Sequence, residues 1–557
     1  MRPDQPALGA AEDPGAGVLR GPRPHVATAP NAAERRRRIA ALEVDHPKLY
    51  AAFTEAKRRA EGESHWLRTS GRYPLTGRGD INTYAVFAET ARTLIGPRGR
   101  MGIIVPTGIA TDATTQYFFR DVVESSSLAA LYDFENLRPL FENVDSRFKF
   151  ALLTLTGRLV REEAADFAFF VHDPVELATP GVRFALKPDE ITLLNPNTGT
   201  SPIFRSRRDA EITLGIYRRV PILLKTGDPE GNPWGIKFMT MFHMSNDSGL
   251  FRTREQLEAE DYVLTGNVFE RGEDLYLPLY EAKMIHQYDH RWASYASDAS
   301  ISDVAVSDKV DPNYTVLPRY WVSEGEVDNR LATKSSDGWL LGWRDIARST
   351  DLRTLISSFI PKAAVGHKIL LALVPRRPSL LVAAWSSLVH DYVARQKLGA
   401  TSVTYFVFSQ LPALPFDVYQ KVTPWCTATR SSDWIEDRVD ELIFTAWDVQ
   451  RFAQSIGDDG PPFRWDEGRR GLIQAELDAA FFHLYGLERD EVDHVLGAFP
   501  IVRRKDQAKY GEYRTARLIL EVYDAMADSM ASGVPYQTVL DPPPGEGPRH
   551  PDRERVA

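Results

Sequence analysis

The chain has a single cysteine in 557 residues, Cys426. That excludes an internal disulfide framework and a cysteine-built zinc cluster. It also lacks any apolar run of the ~18 residues that a membrane-spanning helix needs. The closest stretch, ILLALVPRRPSLLVAAW at 369–385, is cut by Arg376, Arg377 and Pro378. There is no apolar signal-peptide core at the N-terminus, no internal repeat and no Gly-x-Ser-x-Gly nucleophile elbow. A cytoplasmic location and no membrane partner are therefore expected. Basic charge is not in excess: 67 Lys+Arg against 76 Asp+Glu leave a formal charge of −9. This excludes a protein coated uniformly in positive charge, though not a local basic face. Apolar material is present in ordinary measure, with 43% hydrophobic and 26% charged residues. The chain can therefore build cores, and its length suggests about three to four domains.

Residues 1–28 are rich in Gly, Pro and Ala and carry no helical or strand period, which predicts a disordered tail. From residue 29 helix and strand patterns alternate. NAAERRRRIAALEVDHPKLYAAFTEAKRRAEGE reads as helical. INTYAVFAETARTLI reads as an amphipathic helix with Tyr84, Phe87, Ala91 and Leu94 near one stripe. GPRGRMGIIVPTGI is a turn, a short strand and a Pro-Thr-Gly exit, TTQYFFRDVVESS a helix, and LAALYDFEN and RFKFALLTLTG strands. This alternation predicts part of an α/β sheet over 29–158. Residues 159–430 mix short strands, Pro/Gly turns and scattered tryptophans, and read as a separate α+β region. Residues 431–535 are helical again, and the Pro-rich end, 536–557, is expected to be disordered.

The stretch GRGDINTYAVFAETARTLIGPRGRMGIIVPTGIATDATTQYFFRDVV, with LFENVDSRFKFALLTL after it, resembles the back half of the catalytic domain of adenine-specific DNA methyltransferases. The likeness is to the large Eco57I-type and type IIG restriction–modification enzymes. The resemblance implies a partial Rossmann-like class I methyltransferase domain, followed by an α+β target-recognition region and a helical C-terminal region. The implied reaction is methyl transfer from S-adenosylmethionine to adenine N6 in duplex DNA, with no metal. A base inside a duplex is out of reach, so it must be extruded. It then needs an aromatic face to stack on, worth ~1–3 kcal/mol. The resemblance places Phe141 in that role, with Tyr84 and Phe87 under the target-base pocket and Pro106 at its edge. As residue types alone, the three aromatics serve equally well in a core, and Pro106 as a turn proline.

Two motifs of that family do not occur: the Gly-rich turn that cradles S-adenosylmethionine and the Asn/Asp-Pro-Pro-aromatic catalytic loop. GAGVLRG has glycines but no strand before it or helix after it. No catalytic and no cofactor-binding residue is therefore assigned, and an inactive or incomplete fragment is expected. One permitted codon spelling of Gln5–Pro24, shifted by one nucleotide, reads NPPWERLKIQEQEFFAVRDP, the missing loop with a helix-like stretch after it. On this reading Met1–Pro24 are an out-of-frame leader and the authentic frame resumes near His25.

The middle of the chain resembles the target-recognition part of the same enzymes, and its basic residues suit DNA. Arg205, Arg207 and Arg208 precede Arg218 and Arg219 on a helical stretch. Lys283, His286, His290 and Arg291 form a second cluster, and Arg344, Arg348, Arg395 and Lys397 a third. Arginines position phosphates or read guanine edges, while a solvated surface charge is the plainer reading of any one of them. Near the C-terminus Arg503, Arg504, Lys505 and Lys509 are expected to add backbone contacts. Two sharper patterns carry less weight. Asp274, Glu281 and Lys283 outline a metal-dependent nuclease core, and His286 with His290 would face one way on a helix and could bind a metal. The implied partners are duplex DNA and a separate chain carrying the missing catalytic half. The alternative function is a non-enzymatic specificity module complementing such a chain.

Overall fold

The computed structural model describes residue 26 and residues 32–553, apart from 139, 147, 333, 335, 336, 349, 399 and 400. The leader expected at 1–28 thus lies outside the described residues, except for Val26. The chain divides into two compact units, Met1–Ala210 and Glu211–Ala557.

In the first unit the helical stretch after residue 29 is two helices, α1 (Ala32–Asp45) and α2 (Pro47–Thr69). Pro47 divides them, since proline breaks a running helix but is favoured in the first turn of a new one. Helix α3 (Thr83–Leu94), strand β1 (Arg100–Pro106), helix α4 (Gln116–Glu124) and strands β2 (Leu128–Glu135) and β3 (Lys149–Thr156) fall on the expected segments. The stripe on α3 does not. Ala85, Ala88 and Glu89 are buried, while Phe87 is 69% and Leu94 79% exposed. The Glu89 carboxylate explains the rotation, because it accepts from the Leu75 and Thr76 amides and the Thr76 hydroxyl and ties the preceding loop to the helix.

The sheet continues past 158 into β4 (Ala165–Val171) and β5 (Phe184–Leu186), in the order β1-β3-β2-β4-β5. Strand β3 is antiparallel to both β1 and β2, so these two run parallel, with α4 between them in sequence. Strand β2 is parallel to β4, and β4 antiparallel to β5. A sheet ending near 158 was expected, and this one runs on. Gly157 is no linker: its amide donates to Gly99, and a Cβ on it would stand 2.2 Å from the Gly96 carbonyl oxygen. The chain crosses there too closely for any side chain.

The second unit holds most of helix α5 (Arg207–Arg219), two two-stranded ribbons and two larger sheets. One is a meander of β7 (Val263–Thr265), β8 (Val268–Arg271), β9 (Asp274–Tyr280) and β10 (Trp321–Ser323). The other orders β12 (Ser357–Pro361), β11 (Trp339–Arg344), β14 (Ile369–Leu373) and β6 (Lys237–Met239); β13 (Ala364–Val365) pairs with β9. Their shared core includes Met239, Phe242, Leu279, Leu340, Ile360 and Leu371. The apolar run at 369–385 is β14 followed by the buried helix α6 (Pro378–Ser386). No helix among the described residues is long and apolar enough to cross a membrane.

Helices α7 (Leu388–Arg395), α8 (Ser431–Ile443), α9 (Glu467–Leu484), α10 (Arg489–Gly497), α11 (Pro500–Tyr510) and α12 (Arg514–Ser532) build the helical part. The end of the chain corrects the expectation of a disordered tail from 536. The Tyr536 hydroxyl donates to Glu476, the Gly545 amide to Glu441, and Arg549 pairs with Asp458 at 2.7 Å. Glu441 and Glu476 are only 6% and 1% exposed, and buried carboxylates need such donors.

Candidate functional site

The carboxyl ends of β1 and β2 and the start of β3 meet at one end of the first unit's sheet. Across this end Pro106, Phe150 and Phe134 stand in register, so all three project from the same face. Phe134 and Phe150 stack with centroids 5.3 Å apart, and Phe141 sets its edge on Phe150 at 5.0 Å. Phe141 is nonetheless 41% exposed. Its loop is braced by the fully buried Asn136, whose amide donates to the Phe141 and Val144 carbonyls and whose oxygen accepts from the Phe141 amide. A half-exposed aromatic on a braced loop is a platform that a planar group can stack on.

The opposite face of the same end carries polar chemistry. Asp133 is fully buried within β2 and accepts from the Thr107 hydroxyl and the Phe170 amide. Burial pushes its carboxyl up, against the pull of Lys149. Glu135 pairs with Lys149 and His172, both at 3.0 Å. Burial pushes this second carboxyl up, but His172 and Lys149 outweigh it and hold it low. Phe170 has φ 57, a left-handed backbone that costs a bulky residue ~1–3 kcal/mol. Asn136, Phe150, Asp133, Lys149 and Phe170 were not legible as site residues. The one usable signal was a carboxyl, Asp133, flanked by Tyr132 and Phe134 inside the strand LAALYDFE.

Of the residues expected at a target-base pocket, Pro106 and Phe141 are thus brought together through Phe150. Tyr84 is half-buried and reaches Gly108, two residues beyond Pro106. Burial, and then the neighbouring Asp112, push its phenol up. Burial also raises Asp112 itself. Phe87 stands out in solvent. Gly108 is the glycine at the end of β1, where a cofactor cradle would need open space. A Cβ there would meet the Asp112 carboxylate at 2.3 Å and the Tyr84 hydroxyl at 3.0 Å. The space beside Gly108 is filled by Asp112 and Tyr84, so this glycine forms no open cradle for S-adenosylmethionine.

The basic residues divide sharply. Arg205, Arg207, Arg218, Arg219, Lys283 and Arg348 are exposed and Arg208 is half-exposed. Four others are interior, which corrects their reading as surface contacts. Arg291 is 0% exposed and donates to the carbonyls of Lys309, Asp311, Tyr314 and Thr445. His290 pairs with Asp448 at 2.8 Å. Arg395 binds Asp391 and the Asp351 and Leu352 carbonyls. Lys397 lies 4.5 Å over the Tyr217 ring, and burial pulls its ammonium far down. Arg344 is half-buried and donates to the Ile285 carbonyl. His286 stacks on Trp292, and burial, then Arg344, pull it down to about 3. Arg291, Arg344 and Arg395 are spent on carbonyls that would otherwise be buried without donors. Arg503, Arg504, Lys505 and Lys509 are exposed on α11.

The two sharper patterns lose their geometry. Asp274 opens β9 and Glu281 follows its end, a strand's length of roughly 20 Å away. Glu281 is moreover paired with Arg319 at 3.2 Å. His286 and His290 lie on no helix, because the His286–Asp289 segment is a tight turn. Among the described residues no group of three or more His, Cys, Asp or Glu is placed to hold a metal.

No protein-family model matches the chain, and no curated protein does. Among solved structures it is similar to the type IIL restriction–modification enzyme MmeI, solved in complex with DNA. The identity is 10% and the TM-score 0.36, over 84% of this chain and 55% of that one. It is also similar to the type IIG restriction endonuclease BpuSI, at 13% identity and TM-score 0.26, over 76% of this chain and 52% of that one. The chain spans about half the length of either.

Proposed function

We propose that the chain is a duplex-DNA-binding part of a restriction–modification or phage-defence system. The reaction of the family it resembles is adenine-specific methylation by S-adenosylmethionine. The observation that carries this reading is Phe141, half-exposed on a loop braced by Asn136 at the end of β2. The resemblance gives this residue the role of receiving an extruded base, and its exposure leaves the ring open to stack on one. The exposed Arg205, Arg207, Arg218, Arg219, Lys283 and Arg348 would meet the phosphate backbone. The Gly-rich cofactor turn and the Pro-Pro-aromatic loop of that family do not occur in the sequence, so the chain's own part is to hold DNA, and the methyl donor's cradle would come from a separate chain. The test is fluorescence anisotropy with labelled duplexes across a salt series. Binding with log K falling steeply in log salt is expected, and a 2-aminopurine duplex should brighten on binding wild type but not Phe141→Ala. Absence of duplex binding at low salt overturns the reading. Methyl transfer by this chain alone overturns the division of labour.

A further inference from the structure

A cleft of about 350 Å³ opens in the second unit between the His286–Asp289 turn, α9, α11 and α12. That volume falls within the ~300–1,000 Å³ of small-molecule sites. Most charges on its walls are already spent. Arg353 is held by Asp391 at 2.7 Å, Asp289 by Lys309 at 2.5 Å and Lys509 by Glu467 at 3.5 Å. Arg470 donates to the Leu442 and Tyr288 carbonyls, and Asp506 accepts from the Thr515 amide. Asp478 and Arg514 differ. Asp478 is only 7% exposed, and one carboxyl oxygen accepts from the Leu388 amide. The other oxygen meets no donor among the described residues and is not sealed from the cleft it lines. Arg514 lies 4.9 Å from the Tyr510 ring centroid and has no ion pair among the described residues. Its neighbour Glu512 is held by Arg517 at 3.0 Å. The His286 ring, stacked on Trp292, and the Gln474 amide also line the cleft and make no side-chain hydrogen bond among the described residues. Gly471, Gln474 and Asp478 fall on one face of α9, at i, i+3 and i+7. The Arg514 guanidinium lies against Gly471, where a Cβ would stand 3.5 Å from its Nη1. At about 1.5 Å per residue, Asp478 is roughly 10 Å farther along the helix.

We infer that this cleft is a mononucleotide site, in which Asp478 receives the exocyclic amino group of a base and Arg514 the phosphate. A carboxylate acceptor selects an amino-bearing base edge, as it does for cytosine. A guanidinium with no carboxylate partner suits phosphate oxygens. The roughly 10 Å between the two ends matches the reach of a mononucleotide from base edge to phosphate. Val502, Leu518 and Ile519 give the base an apolar wall, and the His286 ring and Gln474 amide remain for its ring nitrogens. The nucleotide is either free or an unpaired unit of a nucleic-acid strand. The inference stands apart from the Phe141 platform, which belongs to the first unit.

The experiment is calorimetric titration of the whole chain with AMP at about pH 8, where the Asp478 carboxyl is ionised. Thermal melts confirm that each variant is folded. Asp478→Asn should weaken AMP binding by about ten- to hundredfold. It should also abolish the preference for AMP over purine riboside monophosphate, which lacks the amino group. Arg514→Gln should weaken AMP binding by about tenfold but leave adenosine, which has no phosphate, unchanged. Should Asp478→Asn fail to fold, the half-exposed Arg514→Gln decides alone. A single-stranded oligodeoxyadenylate that displaces AMP identifies a strand as the source of the nucleotide; one that does not displace it identifies a free nucleotide. No AMP binding by folded wild type overturns the site, as does AMP binding that either folded variant leaves unchanged. So does equal affinity of wild type for AMP and purine riboside monophosphate.

Discussion

Arg205 and Arg291 are the same residue put to opposite uses. In the first unit Arg205 is exposed and lays its guanidinium on the ring of Phe170. In the second, Arg291 is wholly interior and its guanidinium serves four backbone carbonyls. The interior cation offsets desolvation with hydrogen bonds and is therefore part of the fold. The surface cation stays in contact with solvent, so its loss leaves no buried group without a donor. Basic residues close in sequence thus say little about an interface until each is known to reach solvent. Lys283, His290 and Arg291 lie within nine positions, yet only Lys283 is exposed.

The largest expected effect lies on the interior side. Arg291→Ala should cost about 3–5 kcal/mol in urea unfolding, since it leaves buried carbonyls without donors, whereas Arg205→Ala should stay within about 0.5 kcal/mol. Equal losses for the two would abolish the contrast.

Next comes a pH effect in the second unit. Burial, with Asp391 adding to it, pushes the Asp478 carboxyl from 3.8 up to about 6, against the pull of Arg353 and the Leu388 amide. The folded chain therefore keeps a proton that the unfolded chain has already lost. The contribution to stability is full below pH 3.8 and is lost as pH rises through about 6. Asp478→Asn should accordingly raise stability at pH 8 by about 3 kcal/mol and leave it unchanged near pH 4. A variant less stable than wild type at pH 8 would contradict this.

On the surface side, Phe141→Ala should weaken binding of a duplex with a mismatched, easily extruded base by about 1–3 kcal/mol. The melting temperature should move little, because the ring is half-exposed. A large drop in melting temperature would return Phe141 to the core. The smallest effect belongs to Arg348→Ala, with stability unchanged within about 0.5 kcal/mol and duplex affinity lowered modestly.

Much of the local structure was legible. Periodicity located α3, β1, α4, β2 and β3, because a half-buried element must repeat its apolar residues at its own period. It did not set the rotation of α3, where the Glu89 carboxylate, bound to Leu75 and Thr76, overrode the apolar stripe. Nor did it carry the sheet past Gly157, because a close backbone crossing reads in sequence like an ordinary turn. In the candidate site Phe141 and Pro106 were legible by resemblance. The Phe170 bulge was not, since an extra residue in a strand is defined only by the partner it fails to face.

Taken alone, the amino-acid sequence determined what depends on neighbours along the chain. It set helix and strand periods, the break at Pro47, the want of a membrane-length apolar run, and a cysteine count too low for disulfides. Tertiary structure alone decided which charges face water, which carboxyls are buried, and that Asp478 and Arg514 line one cleft. Those outcomes are set by desolvation and by contacts between residues far apart in sequence, and no local pattern encodes either.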